Sequence, residues 1–187
     1  MTMVSDHQIR LERLTTSDLS DAMDRMGVVN SSIRSLWKGA RFQGVAVTVW
    51  TRAGDNLFVH SALDLLRPGS VLVVNGEGDD TRALLGDRMA TKALRRGAVG
   101  VVVDGAVRDR DALEILGLPV FARAVTPAGP YKHGPGQLNV PIAVGGVVVQ
   151  PGDIVCGDGD GVVVVPPERL GEVIALAETM ADLEPLI

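Results

Sequence analysis

A chain of 187 residues with a net charge of −5 is one domain's worth of sequence, large enough for a real core, and its acidity excludes nucleic acid as an electrostatically favoured partner. Hydrophobic residues make up 46% but aromatics only 3%, so core volume must come from Val, Leu, Ile and Ala, as in α/β proteins with valine-rich buried strands. The one cysteine, Cys156, excludes an internal disulfide and fits a reducing compartment; MTMVSDHQIR lacks the apolar segment of a signal peptide and no apolar run reaches a membrane span, so a cytoplasmic protein without membrane contact is expected.

In chain order, Thr15-Thr16-Ser17-Asp18 offers N-caps for a helix carrying Leu19, Ala22, Met23 and Met26 on one face and stopping at Gly27. Residues 28–43 show no period and read as loop. Gly44–Thr51 is a strand of high β-propensity. Gly54-Asp55-Asn56 caps a helix whose apolar face includes Leu57, Phe58, Leu65 and Leu66, ended by Arg67-Pro68-Gly69. Ser70–Asn75 is a second buried strand, followed by a polar glycine loop, Gly76-Glu77-Gly78-Asp79-Asp80.

Gly86-Asp87 opens the next helix, with Met89, Ala90, Ala93 and Leu94 at helical spacing and Arg95-Arg96 before Gly97. A carboxylate in its first turn and cations in its last complement the macrodipole. Val99, Val101, Val102 and Val103 form a short β-branched strand that Asp104-Gly105 is expected to end. A short helix over 112–116, a brief strand Pro119–Ala122 and a Pro/Gly-rich loop over 126–136 follow. Val140–Val149 holds one or two strands around Gly145-Gly146, and Pro151-Gly152-Asp153 is a turn. Asp158-Gly159-Asp160-Gly161 is a tight turn leading into the strand Val162–Val165. Pro166-Pro167 opens a last helix with Leu170, Val173, Ile174, Ala177 and Met180 on one face. The sum is a single α/β domain over residues 1–187, sheet layers covered by helices.

Chemistry-bearing residues concentrate in one stretch. Arg108-Asp109 follows a strand's carboxyl end, where ligands collect in helix-covered sheets. Gly86-Asp87, one αβ unit earlier, can fold back beside it. Backbone N–H groups at a helix start, a guanidinium and two carboxylates suit a divalent metal and an anionic substrate. Other motifs are missing: the Gly76-x-Gly78 pair lacks the third glycine of a dinucleotide site, no Walker A sequence or nucleophile elbow occurs, and His7, His60 and His133 lack zinc-ligand spacing. His60 reads as structural, Cys156 as a small core residue, Trp37 and Trp50 as packing groups, and Arg88 with Lys92 as a polar helix face. The loop carrying Tyr131, Lys132 and His133 is a candidate cover for the site.

Asp87, twenty residues, then Arg108-Asp109 resembles the D-x20-R-D motif of class II 4-hydroxy-4-methyl-2-oxoglutarate aldolases, which share a family with RraA, the regulator of ribonuclease E activity. The resemblance covers nearly the whole chain, through SDAMDRMG at 20–27, GDNLFVHSALDLLRPGSVLVVNG at 54–76, GVVVDGAVRD at 100–109, PVFARAVTP at 119–127 and DGDGVVVVP at 158–166. It implies a compact α/β/β/α fold of the swivelling type, assembled into homotrimers or hexamers with active sites at subunit interfaces. It implies that Gly86, Asp87, Arg88 and Met89 bind the substrate's carboxylate through their backbone. Arg108 would bind the keto acid and stabilise its enolate, Asp109 would ligate Mg²⁺ or Mn²⁺ directly, and Asp87 would hold metal-bound water. A glutamate from a neighbour's C-terminal region completes such sites, for which Glu178 and Glu184 are candidates. The implied reaction is retro-aldol release of pyruvate from 4-hydroxy-4-methyl-2-oxoglutarate or 4-carboxy-4-hydroxy-2-oxoadipate, with oxaloacetate decarboxylation alongside. The alternative implied role is inhibition of ribonuclease E by docking.

Overall fold

The valine-rich segments wind into one nine-stranded sheet and a separate hairpin, in a computed structural model that describes residues 3–183. The strands are β1 (Arg34–Ser35), β2 (Phe42–Thr51), β3 (Ser70–Asn75), β4 (Ala83–Leu85), β5 (Ala98–Val107), β6 (Val120–Val125), β7 (Gly136–Leu138), β8 (Ile142–Val144), β9 (Val147–Val149), β10 (Ile154–Gly157) and β11 (Val162–Val165). The helices are α1 (Met3–Leu11), α2 (Thr16–Ala22), α3 (Leu57–Ala62), α4 (Asp87–Arg95), α5 (Arg110–Leu116) and α6 (Leu170–Leu183). The sheet runs β1-β6-β5-β3-β2-β10-β11, with β4 on β5, β7 on β2, and β8–β9 as the hairpin. Its centre, β2, β3, β5 and β6, is parallel, while β1, β7, β10 and β11 pair antiparallel.

Alternation within the strands builds two faces. Leu72, Val74, Val101 and Val103 point to a core shared with α3, α4 and α5. Val71, Val73 and Val102 point the other way, against Ile142, Val144, Val155 and Val164. Strands β10 and β11 belong to the same sheet yet pack over that second face, so the sheet curls back on itself. Phe42 enters at the fold of the curl and meets Phe121 edge-on, centroids 5.3 Å apart. A Cβ at Gly100 or Gly157 would lie 2.4 or 2.5 Å from the Phe42 ring, so only glycine leaves it room. The outer face of β10–β11 presents Cys156, Val163 and Val165 to α2 and α6. The layer order is therefore helix, sheet, sheet, helix, the α/β/β/α arrangement expected. Burial on both faces is why the strands read as continuous apolar runs. Among the described residues, no helix is long and apolar enough to cross a membrane.

The sequence reading needs several corrections. Strand β5 does not stop at Asp104-Gly105 but continues to Val107. Asp104 is carried inside the sheet because Arg123 pairs with it and the Gly145 N–H donates to it at 2.6 Å. Residues 28–43 are not all loop: Val28 bridges to Val163, β1 pairs with β6, and β2 starts at Phe42. Helix α2 ends at Ala22, leaving Met26 68% exposed; its Thr15–Asp18 capping box is as the sequence suggests. In the α3 region Val59, Ala62, Leu63 and Leu66 are buried, whereas Leu57 and Leu65 face outward. Strand β6 runs on to Val125, β7 takes up the end of the expected 126–136 loop, and Met180 lies partly exposed beyond the buried stripe of α6.

Candidate active site

The register between β4 and β5 brings the chemistry together. Leu85 pairs with Val107, and the Arg108 N–H donates to the Leu85 carbonyl at 3.0 Å. The residues that follow each strand, Gly86-Asp87 and Arg108-Asp109, must therefore lie side by side. Gly86 is the N-cap of α4 with extended backbone, φ −143°. Its significance is space: a Cβ there would stand 2.4 Å from Asp109 Oδ2 and 3.0 Å from Arg108 Cγ and Nε. Asp109 has the left-handed backbone φ 61°, ψ 38° and occupies the N-cap of α5 without capping it through its side chain. Its carboxylate turns away from its own helix. Oδ2 accepts from the Asp87 N–H at 3.2 Å and lies 3.4 Å from Arg108 Nε. Asp87 Oδ1 accepts from the Arg88 N–H at 2.7 Å.

Asp87 borders two adjoining hollows. One is a cavity of about 150 Å³ to which Gly86, Arg88, Met89 and Arg108 also contribute. The other is a shallow depression shared with Asp109, Arg110 and Asp111. The side chains of Arg108 and Asp109 are 42% and 37% exposed, so a ligand can reach both. Gly86, Asp87, Arg88, Met89, Arg108 and Asp109 thus converge as expected, with one feature the sequence did not announce: the amides of Asp87 and Arg88 are already engaged by the site's own carboxylates.

The rest of the cavity wall comes from elsewhere in the chain. Asn56 and His60 enter from the start and body of α3, Pro130 and Lys132 from the loop before β7. Asn56 is 4% exposed. Its Nδ2 donates to the Leu84 carbonyl at 3.1 Å and contacts Met89 Sδ at 3.3 Å. Its Oδ1 is the single buried side-chain polar atom without a hydrogen-bond partner among the described residues. His60 belongs to the site rather than only to the core, and burial, followed by the charges of Lys132 and Lys92, pushes its pKa down. The sequence reads His60 as structural and gives Asn56 no role beyond the cap. The proximity of Gly54-Asp55-Asn56 to a cavity-lining helix was the only available signal.

The donor set fits a hard divalent cation. Asp109 Oδ1 and Asp87 Oδ2 take no hydrogen bond among the described residues, and both carboxylates border the same depression. Magnesium is held by one or two carboxylates with water and substrate completing its octahedron. Among the described residues no group of three or more His, Cys, Asp or Glu side chains that could hold a metal ion is present, so an ion here would rest on these two carboxylates with water and substrate. Of the two C-terminal glutamates, Glu178 is held within its own chain, by Arg10 Nε at 2.9 Å and Nη2 at 2.5 Å, and that bond holds its pKa down. Glu184 lies outside the described residues. Cys156 is a buried core residue whose thiol is pushed up to about 12 by burial, which leaves it inert.

Comparison with known proteins matches residues 16–164 to the model of the RraA-like family, described as Aldolase/RraA. A protein of Halalkalibacterium halodurans named "Putative 4-hydroxy-4-methyl-2-oxoglutarate aldolase" is 40% identical over 173 residues, spanning 92% of this chain and 82% of that one. An uncharacterized protein from Pseudomonas syringae pv. tomato superposes with a TM-score of 0.86 at 31% identity, over 95% of this chain and 84% of its own. The "RNA-processing inhibitor RraA" from Thermus thermophilis superposes with a TM-score of 0.75 at 38% identity, over 81% and 92%.

Proposed function

The chain belongs to the RraA-like family, and from that premise we propose that it is a divalent-metal-dependent carbon–carbon lyase. Its substrate is 4-hydroxy-4-methyl-2-oxoglutarate or 4-carboxy-4-hydroxy-2-oxoadipate, cleaved by retro-aldol reaction to pyruvate, with oxaloacetate decarboxylation as a companion activity. The observation that carries this reading is the ion pair of Arg108 with Asp109, with the Asp87 carboxylate alongside and one oxygen of each carboxylate unengaged among the described residues, at the joint of β4–α4 and β5–α5.

Both reactions break a bond to C3 of a 2-keto acid and leave its electrons as an enolate. Arg108 acts on that charge. It lines the cavity with a side chain 42% exposed, and its planar fork would direct N–H donors at the keto acid's oxygens, a contact that strengthens as the carbonyl becomes an enolate. The start of α4 places its positive end and remaining amide donors beside the substrate carboxylate. Asp109 would hold Mg²⁺ or Mn²⁺ directly and Asp87 would hold it through water; the bound ion would supply Lewis-acid neutralisation of the developing negative charge. With Oδ1 held by the Arg88 N–H, Asp87 Oδ2 would be the acceptor for a water beside the C4 hydroxyl, and through it would take the hydroxyl proton as the C3–C4 bond opens. The enolate takes a proton at C3 from water to become pyruvate, while C4 leaves as the carbonyl carbon of the second product, or as CO2 in the decarboxylation.

The trimeric or hexameric assembly of the family is proposed for this chain as well, with a neighbour closing the open side of the site; light scattering at micromolar concentration tests it, and a monomer mass would refute it. A regulator of ribonuclease E needs a docking surface only, and the unengaged carboxylate oxygens beside Arg108 favour the enzyme. The deciding experiment measures pyruvate release from 4-hydroxy-4-methyl-2-oxoglutarate and from oxaloacetate, with Mg²⁺ or Mn²⁺ and with chelator. Release that the chelator stops supports the assignment; no release from either substrate with either metal overturns it.

A further inference from the structure

The acidity of the chain is not spread evenly over its surface. At the β1 edge of the sheet lies an open groove bordered by Arg34, Arg110, Arg123 and the β6 residues Ala124 and Val125. Three arginines line it and no acidic side chain does, in a chain of net charge −5.

The strand order makes the groove. Strand β1 is two residues long and pairs only with Phe121 and Ala122, although β6 continues to Val125. On its other side β6 is paired with β5 as far as Val125. Residues 123–125 therefore have no strand beside them on the β1 side among the described residues. An uncovered strand edge is a template for one more strand.

The arginines flank that edge on both faces. Arg34 lies opposite Ala122 in the ladder, so it shares the face on which Ala122 joins the core beneath α5. Its Nε donates to the Ser31 carbonyl at 2.8 Å, which anchors the guanidinium. Arg110 opens α5 over the same face. Arg123, one residue on from Ala122, turns to the other face. There it pairs with the buried Asp104, and its Nη1 donates to Ser32 Oγ at 2.6 Å. Arg123 is thus neutralised, whereas Arg34 and Arg110 form no ion pair among the described residues.

Two uncompensated guanidiniums on one face of an open edge suit a strand whose alternate side chains, which share a face, are carboxylates. RNA suits it less: the net charge repels a long polyanion, and the edge offers hydrogen-bonding groups spaced for a polypeptide. We propose that the uncovered edge of β6 takes up an acidic, extended segment of a partner protein as an additional strand, with Arg34 and Arg110 binding its carboxylates. None of these residues enters the proposed lyase reaction, so the surface stands whether or not the chain cleaves keto acids. Arg110 also borders the depression of Asp87 and Asp109, which sets a docked segment beside the candidate metal site.

Fluorescence anisotropy with a labelled octapeptide of alternating Glu and Thr, blocked at both ends, tests this on the full chain at low salt. The peptide should bind with a Kd of about 10–100 μM, and the same peptide with Gln in place of Glu about tenfold more weakly. Methylating the amides of one alternate set should abolish binding and methylating the other set should spare it, the signature of a strand paired along one side. Arg34 and Arg110 are exposed, so their replacement leaves the core intact. Arg34→Gln and Arg110→Gln should each weaken the Glu peptide about threefold, and about tenfold together. No binding up to about 1 mM, equal binding of the Gln peptide, indifference to both methylation patterns, or wild-type affinity in the double variant overturns the proposal. So does tighter binding of a single-stranded RNA of equal charge at the same arginines.

Discussion

Replacing Gly86 with alanine separates catalysis from stability. The new Cβ would stand 2.4 Å from Asp109 Oδ2 and 3.0 Å from Arg108 Cγ and Nε. Non-bonded atoms settle at about 3.5 Å, so the Asp109 carboxylate must retreat by about 1 Å and Arg108 by about half that. Displacement of a reacting group by ~1 Å costs about 10²-fold in rate. The fold has little to lose. Gly86 already has φ −143°, a region open to alanine. Alanine is a poorer N-cap than glycine by about 1 kcal/mol, while the stiffer unfolded chain returns about 0.4–1 kcal/mol. The assay is pyruvate release from 4-hydroxy-4-methyl-2-oxoglutarate across a Mg²⁺ titration, with urea unfolding in parallel. We expect kcat/KM to fall about 10²-fold and half-saturating Mg²⁺ to rise, with unfolding free energy within about 1 kcal/mol of wild type. A folded Gly86→Ala protein with wild-type kcat/KM and Mg²⁺ response would refute the packing argument and the site built on it.

Arg108→Lys keeps the charge but loses the planar fork, so kcat should fall more than KM rises, by about 2–4 kcal/mol in barrier, and inhibition by oxalate, a planar enolate mimic, should weaken in step. Wild-type kcat and oxalate inhibition in that variant would make Arg108 structural. Asp109→Gly should abolish metal-dependent activity at a stability within about 1 kcal/mol of wild type, because glycine relieves the left-handed backbone that the aspartate adopts; retained turnover with saturating Mg²⁺ would contradict the ligand role. For Asp55, burial raises the pKa, but the N–H groups of Leu57, His133 and Gly134 and the Arg52 charge outweigh it and hold the carboxyl below its usual 3.8. Its stabilisation is therefore present above the unfolded value and lost as pH falls through the folded one. Urea midpoints measured from about pH 5 down to pH 3 should drop more steeply for wild type than for Asp55→Asn, and parallel slopes would show these bonds to be electrostatically silent.

The parts of this fold legible in the sequence are those set by local pattern. Ser70–Asn75 is one strand bounded by Gly69 and Gly76, and α4 reads directly from its charges and its alanine stripe. What escaped depends on distant partners. Nothing local marks Ala83–Leu85 as a strand; it becomes one by lying along β5. Asp104 breaks the apolar run of β5, and only Arg123 and Gly145 explain why the strand passes through it. The site divides in the same way. Asp87, Arg108 and Asp109 follow from two successive strand-to-helix joints and from family resemblance. Lys132 reaches the cavity through the Asp55 carboxylate, 77 positions earlier in the chain, which holds the His133 N–H, a relation that no local pattern encodes.

The left-handed backbone at Asp109 also bears on how this chain tolerates neutral drift. A non-glycine residue there is held about 1 kcal/mol above an unstrained one, and its carboxylate makes no capping bond to α5. Had the chain retired from chemistry to serve as a docking scaffold, glycine would be at least as good at position 109, and any side chain content with positive φ would do. Gly86 would be similarly unconstrained, since the atoms that exclude its Cβ are those of Arg108 and Asp109. The positions are thus coupled through occupied space: loss of the Asp109 side chain removes the nearest atom that excludes a Cβ at Gly86, and loss of Arg108 as well removes the other two, so Gly86 is held by the reaction's own side chains rather than by the fold.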